Sequence, residues 1–181
     1  NMLELAKRKK VKSFLFFSSS EIYGNPTSDA IPTKEIYNGN VSSIGPRSCY
    51  DESKRLGETL CMTYYSVYKT PIKMVRPFNV YGPGLRSSDY RVVPAFILNA
   101  IKGKAIPVHA NGKQTRTFCY ISDAVAGFFK VLLSEKNGEV YNVGNDDNEI
   151  NMNQLAKTLN GIFDNKLKIR NISYPKDYPQ G

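Results

Sequence analysis

The 181-residue chain reads as an α/β fold with a partly parallel sheet. Three observations predict this. Two short apolar runs bounded by polar residues, "VKSFLFF" at 11–17 and "IKMVR" at 72–76, have the signature of buried strands. Between them, residues 47–69 contain no proline, and their apolar residues recur near helical spacing. After them, strand and helix signals keep alternating to the end.

Each element has its own reason. Residues 2–10 read as the end of a helix, because Lys7, Arg8, Lys9 and Lys10 suit a helix C-terminus. Ser18, Ser19 and Ser20 follow the first strand as its end. Residues 24–46 are polar, with Pro and Gly, and read as one long loop; loops of that length are often functional. Leu56, Leu60, Met62, Tyr64 and Val67 mark the long helix, and Pro71 is expected to end it. The second strand leads into the turn-rich "PFNVYGPG". A helix is expected over 92–101, a strand over 106–108 before the Asn111-Gly112 turn, and a strand over 116–121. Ser122 is expected to cap a helix to about residue 133. A strand at 139–143, a helix capped by Asn151 running to about 163, and a strand at 167–172 complete the pattern.

Composition narrows the function classes. Hydrophobic content of 41% and aromatic content of 12% are ordinary for a globular chain. No apolar run approaches the ~18 residues of a membrane span, and no stretch has the layout of a signal peptide. The expectation is a cytoplasmic protein with no membrane partner. The net charge is +9. Beyond the cluster at 7–10, Arg47, Arg76, Arg86, Arg91 and Arg116 are scattered. That suits point contacts to a small anionic ligand better than a nucleic-acid stripe, so no nucleic-acid partner is expected. Cys49, Cys61 and Cys119 form no CxxC pair and there is one histidine, His109, so no metal site is expected. The cysteines read as reduced core residues.

The chemistry concentrates on "SCYDESKR" at 48–55. Tyr50 and Lys54, four apart, share one helix face. An ammonium beside a phenol favours the phenolate, which suits a tyrosine to take a hydroxyl proton. The spacing alone is weak, since the chain has 12 tyrosines and a second Y-x-x-x-K at Tyr65 and Lys69. Context separates the two. "FLFFSSSEIYG" lies before Tyr50 and "MVRPFNVYGPG" after it, followed in order by "RVVPAFILNAIKG", "GKQTRTFCYISDAV" and "VYNVGN". Tyr65 and Lys69 have no such setting and read as helix surface and core.

Together these motifs resemble the extended short-chain dehydrogenases/reductases, in the NAD-dependent epimerase/dehydratase family. "GPRSCYDESKRLGETLC" is most similar to the UDP-glucuronate decarboxylases (UDP-xylose synthases), and "YNGNVSSIGPR" is similar to their loop, with Asn38 in place of a usual tryptophan. The resemblance covers nearly the whole chain. It implies the C-terminal part of a Rossmann-type doubly wound sheet plus a small mixed α/β substrate-binding lobe. Residues 1–80 would belong to the NAD-binding domain, and 81–181 mainly to the lobe, with interleaved Rossmann elements. No G-x-G-x-x-G follows a first strand, and no acidic residue is placed to read a ribose. Those N-terminal units are expected to be missing, with the chain cut at both ends, the second at "YPQG". The fragment alone is then expected to bind NAD poorly and to be inactive.

The resemblance also implies roles. Ser19 would hydrogen-bond the sugar 4-hydroxyl, Tyr50 would take its proton, and Glu21 would be a second acid/base group. Lys54 would hold the nicotinamide ribose, with Tyr50, Phe78 and Arg91 also at the cofactor NAD. Asn79 and Arg116 would bind the nucleotide diphosphate, and Tyr120 would line the substrate region. Oxidation at C4 would make a β-keto acid that loses CO₂, followed by re-reduction. Ser20 stands where 4,6-dehydratases carry an acidic proton donor, and Glu21 where 4-epimerases usually have no acid, so "SSE" matches decarboxylation best. Val80 in place of threonine, His109 in place of tyrosine and the "GPGLRSSDY" loop depart from the pattern. His109 reads as a structural residue on a strand end. A nucleotide-sugar 4-epimerase or 4,6-dehydratase is the close alternative, and a non-catalytic nucleotide-sugar-binding protein the distant one. A homodimer is implied through the Tyr50 helix and the helix ending near Lys10.

Overall fold

The structure, a computed structural model, describes residues 1–86 and 88–174. Ser87 of the "GPGLRSSDY" loop and the closing "YPQG" lie outside the described residues. The chain divides into two compact units. The first comprises Asn1–Phe78 and Ser122–Gly144; the second comprises Asn79–Ile121 and, among the described residues, 145–174.

The first unit is a three-stranded parallel sheet between helices. It holds α1 (Met2–Lys9), β1 (Phe14–Phe17), α2 (Ser48–Tyr68), β2 (Ile72–Pro77), most of α4 (Ile121–Leu133) and β7 (Glu139–Val143), with sheet order β1-β2-β7. All pairs are parallel, with Phe17 opposite Val75 and Arg76 opposite Asn142. Successive residues face opposite sides of the sheet. Phe14, Phe16, Ile72 and Met74 pack with Cys61, Met62 and Tyr65 of α2 and Leu3 of α1. Phe17 turns the other way, edge-on to Phe128 of α4 at 4.8 Å. The first strand begins three residues later than expected. Lys10 adopts the left-handed conformation and Val11 N–H donates back to Ala6, so "VKS" closes α1 before the sheet starts. The long helix likewise ends at Lys69, left-handed at φ 55°, before Pro71 can act.

The second unit is built on α3 (Val92–Ile101), β4 (Ile106–His109), α5 (Met152–Ile162) and β9 (Ile169–Ile172). β4 and β9 pair in parallel over a core of Phe96, Ile106, Val108, Met152 and Ala156. Asn151 caps α5 in a full capping box with Gln154, as its position predicts. The expected strand over 116–121 is instead two fragments. β5 (Thr115–Arg116) pairs with β8 (Ile150–Asn151), while β6 (Cys119–Tyr120) pairs with β3 (Val80–Tyr81) inside the "PFNVYGPG" stretch. Helix α4 starts at Ile121, one residue before Ser122. Ser122 is therefore not its cap, and its hydroxyl donates to Asp123.

Two buried cations organise the first unit. Arg76 of β2 makes a two-pronged pair with Glu58 of α2, at 2.9 and 2.6 Å. It also donates to the Tyr23 hydroxyl and to the Glu35 carbonyl. The Tyr23 hydroxyl in turn donates to the side-chain oxygen of Asn142 in β7, whose backbone N–H and side-chain amide donate to Glu35 and the Thr33 carbonyl. The long loop is thereby fixed to the sheet. A short 3₁₀ turn at Ser20–Tyr23 precedes the loop, where a strand end is expected, and a second at Ser28–Ala30 lies within it. Lys73, on the opposite face of β2, is 2% exposed and donates to Ser13 and Asn137, both neutral. Burial pushes its ammonium pKa below the ordinary lysine value.

Glu58→Gln leaves a buried guanidinium uncompensated, and is expected to lower unfolding free energy by about 3–5 kcal/mol in chemical denaturation. For Lys73 the unfolded chain holds the proton more tightly than the folded one. Its contribution to stability therefore rises with pH from the depressed folded value up to the ordinary one near ~10.4. Lys73→Met is expected to lose that rise relative to the parent in thermal melts run as pH climbs toward the ordinary lysine value.

Candidate active site

Ligands of open parallel sheets bind outside the carboxyl ends of the strands. In the first unit that end is occupied by Ser18, Ser19 and Glu21 after β1 and by the first two turns of α2. Lys54 Nζ donates to the Phe17 carbonyl at 2.9 Å, at the last residue of β1, and lies 5.8 Å from the Tyr50 ring centre. Tyr50 is 44% exposed, so its hydroxyl is open to a ligand. The second pair has a similar lysine-to-ring distance, 6.0 Å for Lys69 and Tyr65. Its place differs. Tyr65 packs over Gly138, the residue before β7, at the amino end of the sheet. Lys69 has left the helix. Position in the sheet, not spacing, distinguishes Tyr50 from Tyr65.

A close approach of helix to strand sets this geometry. A Cβ on Gly57 would lie 2.3 Å from the Phe16 ring, so only glycine lets α2 rest on β1 here. One turn away, the same contact brings Lys54 onto Phe17. Ser19 is buried, and its Oγ accepts from Glu21 N–H at 3.2 Å, which leaves the hydroxyl proton free to be donated. Ser18 is also buried, with an Oγ that has no hydrogen-bond partner among the described residues.

Glu21 does not stand alone. Its carboxylate is paired with Arg47, the residue immediately before α2. Asp51, one turn on, is 7% exposed. Burial raises its carboxyl pKa; Arg47 works against the rise, and Glu21 and Glu52 add to it. Three of the scattered arginines also have partners within the chain: Arg47, Arg76 and Arg91 pair with Glu21, Glu58 and Asp89. The Arg47 pair had a readable signal. A cation at the positive end of a helix is unfavourable, and so calls for a nearby anion.

The other expected residues lie as follows. Phe78 ends the first unit, its N–H donating to Val143 and its ring 6.1 Å from that of Tyr23. In the second unit, Asn79 (φ 40°) donates from its amide to the Thr117 carbonyl at 2.9 Å. This sets it beside the segment carrying Arg116 and Tyr120. Arg116 is exposed and donates to the Thr115 carbonyl. Tyr120 meets Tyr81 edge-on at 5.4 Å. Arg91 precedes α3 and pairs with Asp89.

Gly57→Ala would stabilise an open helix by about 1 kcal/mol. The contact with Phe16 predicts the opposite sign, a loss of about 1–3 kcal/mol in denaturant unfolding.

Comparison with known proteins gives the family and the fold. UDP-glucuronic acid decarboxylase 5 of Arabidopsis thaliana is 41% identical over 180 residues, which is 99% of this chain and 51% of that protein. UDP-glucuronic acid decarboxylase 1 of Xenopus tropicalis is 39% identical, over 99% of this chain and 42% of its own length. The chain thus spans about half the length of the curated relatives it matches. Among solved structures, UDP-glucuronic acid 4-epimerase from Bacillus cereus, in complex with UDP-glucuronic acid and NAD, superposes with a TM-score of 0.78. It is 28% identical, with 98% of this chain and 54% of that one covered. UDP-N-acetylglucosamine 4-epimerase from Methanobrevibacter ruminantium M1 shares the fold with a TM-score of 0.87 at 23% identity, covering 98% of this chain and 55% of that one. The sequence model of the NAD dependent epimerase/dehydratase family matches residues 1–144, and the chain belongs to that family.

Proposed function

We propose that this chain carries the proton-transfer half of an NAD-dependent nucleotide-sugar enzyme of the UDP-glucuronate decarboxylase type. The observation that carries the reading is the seating of Tyr50 and Lys54 at the carboxyl end of β1, beside Ser19 and Glu21. The 41% identity to a decarboxylase over 180 residues supports it.

The residues fit a dinucleotide. Lys54 spends one N–H on Phe17 and keeps two, the number a ribose diol can take. Bound NAD supplies reversible oxidation at the sugar C4. The chain's own groups do the rest. Ser19 donates to the 4-hydroxyl oxygen and orients it. Tyr50 takes the hydroxyl proton as C4 becomes a ketone, and returns it on re-reduction. The 4-ketone stands β to the C5 carboxylate, so the C5–C6 bond breaks and its electron pair is held as an enolate. Glu21 serves as the acid/base group for the proton at C5. Asn79 and Arg116 hold the diphosphate, Arg116 as a charged fork. Phe78 and Arg91 bound the cofactor, and Tyr120 the substrate.

The likeness to a UDP-glucuronic acid 4-epimerase favours a second reading on the same substrate. The protein is assigned to the cytoplasm, and no described helix is long and apolar enough to cross a membrane. A homodimer through α1 and α2 accounts for Met2, Leu5, Leu56, Leu60 and Val67, apolar residues exposed on those helices.

Given UDP-glucuronate and NAD, the enzyme is expected to release CO₂ and yield a UDP-pentose. UDP-galacturonate without CO₂ would identify the epimerase. Tyr50→Phe is expected to lower kcat by about a hundredfold to ten-thousandfold with KM little changed, and an unchanged kcat would remove Tyr50 as the base.

A further inference from the structure

Arg47, Glu21 and Asp51 form a group that the reaction above does not use as a unit. Among the described residues the Arg47 side chain pairs with Glu21, and both side chains are well exposed, at 41% and 43%. A guanidinium has five N–H donors in a rigid fork, so most of its capacity is unspent among the described residues. Asp51 is the reverse. It is held in the first turn of α2, its backbone N–H donating to the Arg47 carbonyl, and it is 7% exposed. One carboxylate oxygen, Oδ1, has no hydrogen-bond partner among the described residues. A buried carboxylate oxygen left unpaired is costly. The cation nearest to it in charge effect is Arg47, and the anions are Glu21 and Glu52. One exposed cation is thus paired with an exposed carboxylate, four residues before a buried carboxylate whose Oδ1 has no partner among the described residues.

We propose that Arg47 is a positioning residue with two seats: it holds Glu21 turned toward α2 in the empty site, and moves onto Asp51 when Glu21 turns to the substrate. The exchange needs only the two exposed side chains to move. Release of Glu21 costs an ion pair, and the new pair with Asp51 satisfies the orphaned oxygen and offsets that cost. The proposal rests on Glu21 acting on the sugar, as in the proposed function.

A double-mutant cycle on Asp51 tests the exchange without any turnover. The Asp51 carboxyl is titrated by ¹³C NMR in the parent, Glu21→Gln, Arg47→Met and the double variant. Glu21→Gln frees Arg47 for Asp51 and removes a repelling charge, so the Asp51 pKa falls. With Arg47 already gone, only the charge effect remains, and the fall is expected to be less than half as large. Equal falls in the two backgrounds would overturn the exchange. Turnover supplies the second arm. Asp51→Asn is expected to lower kcat about tenfold with KM unchanged, because the second seat loses its charge; an unchanged kcat would overturn the link to catalysis. If the wild type does not convert UDP-glucuronate, the functional reading fails, while the titration still decides whether Arg47 has two seats.

Discussion

The Arg76 guanidinium, buried between β2 and α2, is the contact on which the reactive end of the first unit depends. It takes both oxygens of Glu58, the Tyr23 hydroxyl and the Glu35 carbonyl. Through these it ties together the sheet, the long helix, the 3₁₀ turn carrying Glu21 and the loop after it. Tyr23 extends the network to Asn142 on the far strand. A half-satisfied buried cation would be destabilising, but a fully satisfied one fixes direction as well as position. Arg55 repeats the device near the surface, donating to the Ile22 and Asn38 carbonyls and so clamping the 3₁₀ turn before the loop and the loop's middle to α2. The identity of residue 38 is then free to vary, because only its backbone is held.

What could be read from the chain follows from the range of each interaction. Helix α3 and strand β7 match their expected bounds, because apolar pattern and flanking residues are local. The two-residue strands β3, β5, β6 and β8 carry no periodicity. Their pairings come from partners 34 to 39 residues away, as with Arg116 and Ile150 or Val80 and Cys119. The left-handed residues Lys10 and Lys69 were equally hidden, since lysine gives no local sign of a positive φ. Leu56, Leu60 and Val67 mark the α2 helix correctly, yet they are exposed, and its core face is Cys61, Met62 and Tyr65.

At the site, residue types were readable and their pairings were not. The Tyr50 and Lys54 spacing was visible, but only the fold places one Y-x-x-x-K at the carboxyl end of the sheet and the other at the amino end. The arginines show the same limit more sharply. Charge alone suggested contacts to an anionic ligand. Arg76 and Arg47 instead meet carboxylates 18 and 26 residues away in sequence. In the proposed chemistry this division is useful. Arg76 is spent on structure, Arg47 on the orientation of Glu21, and the exposed Arg116 is left for phosphate.

The most direct measurement is a crystal structure of the protein with NAD and UDP-xylose. The expected result places the sugar 4-hydroxyl oxygen within about 3 Å of both the Tyr50 hydroxyl and Ser19 Oγ, with Lys54 Nζ at the nicotinamide ribose. A sugar bound away from Tyr50, or a nucleotide seated at the amino end of the sheet beside Tyr65, would contradict it.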